Sequence, residues 1–273
     1  HSLVVFDIVP APVKELAAAG AQVAATAKEV AARSDVIITM LPNSPEVKQV
    51  VLGKDGILEG AKAGLIVADM SSIAPLASRE VAAKLAEKGV QMLDATVSGG
   101  QPKAIDGTLS VMVGGKQEVF DRCLPVFKAM AASVVRVGAI GAGNVAKLAN
   151  QVVVALNIAA VSEALVLAAK AGVEPELVYQ AIRGGLAGST VLNAKAPMVL
   201  KGNYKAGFRI ELHIKDLQNA LDTAHAIGAP IPLTGTVMEI MQALRVDGKQ
   251  KDDHGGVIQF YEKLAGQLVR SNL

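Results

Sequence analysis

The 273-residue chain is 51% hydrophobic and 19% charged and carries a net charge of +2, enough apolar material for a core and too little charge for a disordered polymer. Its basic residues are scattered, aromatics make up 3% and tryptophan is absent, so neither a nucleic-acid patch nor a base-stacking platform is expected. The single Cys123 excludes an intramolecular disulfide and suits a reducing, cytoplasmic compartment.

The run Leu3–Phe6 predicts a short buried strand that ends at Asp7, with a helix over 10–20 behind it. Strands follow over 35–42, 64–71, 89–98, 109–115 and 133–138. Between them, apolar residues at i, i+3/i+4 spacing predict helices over 44–53, 74–89 and 116–130. Apolar strands alternating with helices predict a parallel sheet covered on both faces. After Gly141 the β-texture stops. A long helix over 142–171 ends at Gly172, and further helices are expected over 175–183, 189–200, 213–227, 232–245 and 253–270. The expected domains are residues 1–140, α/β, and 141–273, all-α. The apolar window 148–169 holds Asn150, Gln151, Asn157, Ser162 and Glu163, which argues for a protein-buried helix and against a membrane span.

An acid at a strand tip, such as Asp7, can grip the ribose hydroxyls of a dinucleotide, but it should follow a glycine-rich turn by about 20 residues. Inside the chain, Gly141-x-Gly143-x-x-Ala146 has the spacing of such a turn. An unbroken apolar helix follows it instead of a second strand, so that reading is rejected. The strand ends TMLPNSP and ADMSSIAP carry polar and prolyl tips, the place where open α/β sheets bind ligands. DATVSGG ends a strand with Ser98, Gly99 and Gly100, whose N–H groups can form an anion nest suited to a carboxylate. Lys147 and Asn150, spaced i, i+3, share one face of the long apolar helix and need partners or a task there. Lys215 and Asp216 read by themselves as a surface ion pair and a capping acid at a helix start. DDHGG (252–256) reads as helix capping rather than a metal site, and His213 and His225 have no spacing partner.

Taken together, DATVSGG, GTLSVMVGG, GAIGAGNVAKLANQ and FRIELHIKDL, in this order, closely resemble the β-hydroxyacid dehydrogenase family, over essentially the whole chain. The resemblance implies a Rossmann-type doubly wound domain joined by a long helix to an all-helical domain. It implies NAD as cofactor, with NADP possible, and no metal. The family opens on a strand and a Gly-x-Gly-x-x-Gly turn, so the resemblance places that first βα unit ahead of His1; a chain without it is expected to hold NADH poorly. By motif position, Ser98, Gly99 and Gly100 would hold the substrate carboxylate, Lys147 would be the catalytic lysine, Asn150 would orient the substrate and Phe208 would wall the pocket. Asp7, Met40, Leu41, Pro42, Ser72 and Lys215 would line the cofactor, Asp7 favouring NAD by repelling a 2′-phosphate. Thr96 stands where the family usually has Pro, which predicts a looser loop. The implied reaction is reduction of a small carboxylate-bearing aldehyde, tartronate semialdehyde, to D-glycerate, with 3-hydroxyisobutyrate and succinic semialdehyde as alternative substrates. The apolar long helix predicts a homodimer or tetramer.

Overall fold

The computed structural model describes residues 1–271 and divides into two compact units, His1–Lys147 and Leu148–Leu273. The first unit runs β1 (Val4–Val5), α1 (Pro10–Ala18), β2 (Gln22–Val23), α2 (Ala27–Ala32), β3 (Val36–Thr39), α3 (Ser44–Leu52), α4 (Ile57–Gly60), β4 (Ile66–Asp69) and α5 (Pro75–Ala86). It continues with β5 (Gln91–Ser98), α6 (Gly100–Ile105), β6 (Leu109–Gly114), α7 (Gln117–Lys128), β7 (Ala131–Gly138) and the start of α8 (Ala142–Lys170).

The expected doubly wound sheet is present. Successive residues of β4 feed opposite cores: Val67 joins Val47 and Val51 of α3 and Val81 and Leu85 of α5, while Ile66 and Ala68 join Phe120, Cys123 and Phe127 of α7. A strand with alternate side chains buried on both faces must be apolar throughout, which is why β4 reads as an unbroken hydrophobic run. Ile66 and Val67, fully buried, each contribute about 1.5–3 kcal/mol.

The sheet order β3-β4-β5-β6-β7 is parallel except between β5 and β6, which pair antiparallel from Asp94↔Gly114 to Ser98↔Ser110. The connection over residues 99–108 is too short for the crossover of a dozen or more residues that a parallel return takes. The parallel sheet expected from the sequence is therefore a mixed one. Strands β1 and β2 form a separate parallel pair. β2 gives no sequence signal because both its residues are exposed. The short α2 likewise lacks a long period, and a local cap starts it: Thr26 Oγ1 accepts the Glu29 N–H and Glu29 Oε2 accepts the Ala25 N–H.

The second unit holds the rest of α8, then α9 (Pro175–Ile182), α10 (Thr190–Leu200), α11 (Ile210–Ile227), α12 (Pro232–Val246), a 3-10 turn (His254–Val257) and α13 (Ile258–Ala265). Its core has two centres, both fed by α8. Ala155 and Ile158 pack with Leu217 of α11 and Met241 of α12, and Leu165 packs with Tyr179 of α9 and Leu192 of α10. By length and composition α8 could cross a membrane, but Gln151 and Ser162 on it are buried and hydrogen-bonded within the protein. The helix expected over 253–270 is shorter and begins as a 3-10 turn. Asp253 caps that turn through the Gly255 N–H, two glycines follow, and Gly266 in the left-handed conformation closes α13.

Candidate active site

Strands β3, β4 and β5 are parallel, so their carboxyl ends share one edge, and Thr39, Asp69 and Asp94 stand side by side in register there. At this edge Met40 is 66% exposed, Pro42 is exposed, and Leu41 and Ser72 are half-buried. The Leu41 N–H donates to Ser71 Oγ at 2.9 Å, which ties the two strand tips together. Behind them Asp69 is fully buried. Its Oδ1 accepts from Thr39 Oγ1 at 2.8 Å and from the Ser71 N–H at 3.1 Å. Among the described residues its Oδ2 has no hydrogen-bond partner, and burial raises its carboxyl above the ordinary range. Asp7 lies exposed beyond β1, where its Oδ1 accepts the Val9 N–H at 2.8 Å. A solvent-facing edge of strand tips with an unsatisfied buried acceptor behind it fits a ligand as polar as a nicotinamide dinucleotide.

β5 ends at the half-buried Ser98, and the exposed Gly99 and Gly100 follow at φ +138° and +67°. A Cβ on Gly99 would come within 2.7 Å of Lys103 Cβ, so only glycine fits the turn.

Lys147 is 7% exposed, the sixth residue of α8. A network that the sequence reading left without a role fixes the start of this helix. The fully buried Asp94 accepts the Gly141 N–H on Oδ1 at 2.7 Å and the Asn144 N–H on Oδ2 at 2.8 Å. Asn144 in turn accepts the Ile73 N–H at 3.0 Å and donates to Ser78 Oγ at 2.8 Å. Burial raises the Asp94 carboxyl to about 6, against the pull of the two N–H groups, and the neighbouring Asp69 pushes the same way.

The glycines of GAGNVA serve this docking. A Cβ on Gly143 would lie 2.4 Å from the Asp94 carbonyl oxygen and 2.6 Å from that of Met112. Thr96 corrects another expectation: it is buried within β5 and its Oγ1 donates to the Gly143 carbonyl at 2.9 Å, so the segment is tied down rather than loosened.

In the second unit, Asn150, Phe208 and Lys215 belong to one connected cluster. Asn150 Nδ2 donates to Gln151 Oε1 at 2.8 Å, Gln151 Nε2 donates to Asp216 Oδ2 at 2.6 Å, and Lys215 Nζ lies 3.1 Å from Asp216 Oδ1. α11 begins at Ile210, so Asp216 sits in its second turn and is buried. It is not the capping acid, and the pair is not the surface ion pair, that its spacing suggested. His213, expected to stand alone, lies Nδ1 to Nδ1 at 2.9 Å from His254, and its Nε2 is 3.2 Å from the Gln151 carbonyl. Because that carbonyl can only accept, Nε2 of His213 carries a proton. The Phe208 ring packs on both imidazoles, with centroids at 5.9 and 5.2 Å. Asp253 holds the Phe208 segment by accepting the Gly207 and Phe208 N–H groups, and its other oxygen meets Lys195 Nζ at 2.7 Å. No sequence spacing announces these contacts, because His213 and His254, like Asp253 and Phe208, are joined only by the fold. Among the described residues no group of His, Cys, Asp or Glu side chains is arranged to hold a metal.

Comparison with known proteins decides the family. Residues 1–141 match the model of the NAD binding domain of 6-phosphogluconate dehydrogenase, and residues 141–261 match that of the NAD-binding region of NADP-dependent 3-hydroxyisobutyrate dehydrogenase. The 2-hydroxy-3-oxopropionate reductase of Escherichia coli K12 is 41% identical over 98% of this chain and 92% of its own length. The chain belongs to the β-hydroxyacid dehydrogenase family. Another relative, the 2-(hydroxymethyl)glutarate dehydrogenase of Eubacterium barkeri, is 36% identical over 97% of this chain and 88% of its own. The solved structure of Mycobacterium tuberculosis 3-hydroxyisobutyrate dehydrogenase with L-serine superposes with a TM-score of 0.88 at 33% identity, covering 96% of this chain and 91% of that one. The cofactor of this β-hydroxyacid dehydrogenase is NAD(P).

Proposed function

We propose that this β-hydroxyacid dehydrogenase reduces tartronate semialdehyde (2-hydroxy-3-oxopropanoate) to D-glycerate, with Lys147 as the proton donor. The observation that carries the reading is a buried lysine on a helix whose first turn is pinned by a carboxylate. The 41% identity to a reductase of this substrate supports the choice within the family.

NAD(P)H, when bound, supplies the hydride that adds to the aldehyde carbon. The Lys147 ammonium donates a hydrogen bond to the carbonyl oxygen, stabilises the negative charge that develops there and delivers its proton as the alkoxide forms. Ser98 and the N–H groups of Gly99 and Gly100 hold the substrate carboxylate. Asn150 orients the substrate and Phe208 walls it from water. Met40, Leu41, Pro42 and Ser72 line the cofactor at the strand tips, Lys215 reaches its nicotinamide end, and Asp7 favours NAD over NADP by repelling a 2′-phosphate. Residues 1–140 serve as the cofactor domain, and residues 141–273 serve the substrate and a homo-oligomer contact. The side chains of Val153 and Leu167, exposed on α8, support that contact. No nucleic acid or membrane partner enters this reading, which is of a cytoplasmic enzyme.

The test is NADH oxidation with tartronate semialdehyde, methylmalonate semialdehyde and succinic semialdehyde side by side. The proposal expects the highest kcat/KM with tartronate semialdehyde. A clear preference for methylmalonate semialdehyde would instead make the chain a 3-hydroxyisobutyrate dehydrogenase.

A further inference from the structure

Asp94 and Lys147 never touch in the hydrogen-bond network, yet one sets the other's place. Asp94 lies on β5 and reaches α8 across 47 to 50 residues of sequence, with one carboxylate oxygen on each of two N–H groups of the helix start. The glycine packing around it leaves no slack. A Cβ on Gly114 would lie 2.3 Å from Asp94 Oδ1, and Gly143 presses against the Asp94 backbone. Lys147 follows Asn144 by three residues, about 4.5 Å further along the axis, so a slip or a turn of the first helical turn moves its ammonium directly. The helix also carries a positive pole at this end, which disfavours an ammonium nearby, and a carboxylate there offsets it.

Resting on the reading of Lys147 as proton donor, we propose that Asp94 is its positioning residue, and that the ionised form of Asp94 is the one that holds the lysine in place. A carboxylate offers an acceptor on both oxygens, whereas a protonated carboxyl presents a hydroxyl on one of them and gives up one of the two N–H bonds. The charged group acting on Asp94 is Asp69 on β4, which opposes its ionisation; Arg79 on α5 packs beside Gly141, where a Cβ would lie 3.0 Å from its Nε. β6 brings Met112, Val113 and Gly114, which are uncharged, and α8 brings Lys147 itself. With its carboxyl near 6, Asp94 titrates just below neutral pH. Burial favours the protonated form in the folded chain, so acid weakens the pin without costing stability through this group. Activity and stability therefore part company on the acid side.

The experiment uses the whole chain in two readouts. Without cofactor, the backbone amide resonances of Gly141 and Asn144 are followed by NMR from pH 8 to 5; both shift with a midpoint near 6 in the wild type and are flat in Asp94→Asn. With NADH and tartronate semialdehyde, Asp94→Asn loses about 10- to 100-fold in kcat at pH 7.5, as expected for a slightly misplaced acid. KM for the aldehyde changes less than threefold, and the acid limb near pH 6 disappears. Amides that do not titrate between pH 7 and 5 in the wild type overturn the proposal, and that arm needs no variant to fold. So does an Asp94→Asn enzyme whose kcat stays within twofold or whose acid limb persists. Amides that titrate in a wild-type chain that turns over no aldehyde would leave Asp94 as the helix pin and overturn the role assigned to Lys147.

Discussion

Asp94 in the first unit and Asp253 in the second do the same structural work with opposite consequences. Both carboxylates are buried, and both accept backbone N–H groups from segments distant in sequence. Asp94 has no cation in contact among the described residues, and burial raises it to about 6. Asp253 suffers the same burial penalty. The Lys195 hydrogen bond, the Gly255 N–H and the charges of His254 and Lys195 outweigh it, so its carboxyl sits below the ordinary value. The Lys195 ammonium, together with the His254 charge and the Gly255 N–H, separates a clamp that loosens just below neutral pH from one that stays ionised below the ordinary carboxylate range.

The largest effect should come from removing that cation. Lys195→Met leaves Asp253 buried without its partner and should cost about 3 kcal/mol, a melting temperature lower by about 6–12 °C. A change of less than 2 °C would mean that the backbone N–H groups suffice. Acid titration sharpens the contrast. The depressed Asp253 contributes stability above the unfolded carboxyl value and loses it only as pH falls through its own lower one, below about 4. The raised Asp94 works the other way: its ionisation costs stability as pH rises from about 4 to 6, and that cost is absent below. Melting the wild type and Asp94→Asn across pH 4–7 should show the variant gaining on the wild type between about pH 4 and 6, with the difference levelling off above 6.

Gly143→Ala tests the close docking beside Asp94. The added Cβ meets backbone atoms, which cannot rotate away, so a loss of about 1–3 kcal/mol is expected in thermal melts. The smallest effect is at the exposed Asp7, where Asp7→Ser should shift the NADH-to-NADPH preference by about tenfold in kcat/KM, roughly 1.4 kcal/mol, with melting unchanged. An unaltered preference would remove Asp7 from the cofactor site.

What the sequence made legible follows from this contrast. β3, β4 and α8 declare themselves through apolar runs, and the strand tips through the prolyl and polar residues that interrupt them, Pro42–Asn43 and Ser71–Ser72. Lys147 and Asn150 stand out as polar residues on an apolar helix. β2 was invisible because two exposed residues carry no period, and the antiparallel turn at β6 followed from the length of one connection. The pins were hidden for another reason. Asp94 sits inside the quoted DATVSGG motif, yet its partners Gly141 and Asn144 are about 50 residues away. His213 and His254, 41 residues apart, meet only once α11 and the 3-10 turn have packed. Long-range polar pairs leave no local pattern, and a buried acid is legible only when its donors are known.

The most direct test of the account is the rate of NADH-dependent tartronate semialdehyde reduction by Lys147→Ala, with NADH affinity measured alongside by fluorescence. The account predicts a kcat lower by about a thousandfold, within the range of a lost general acid, and NADH binding unchanged within threefold. A variant that keeps kcat within tenfold of the wild type would contradict it.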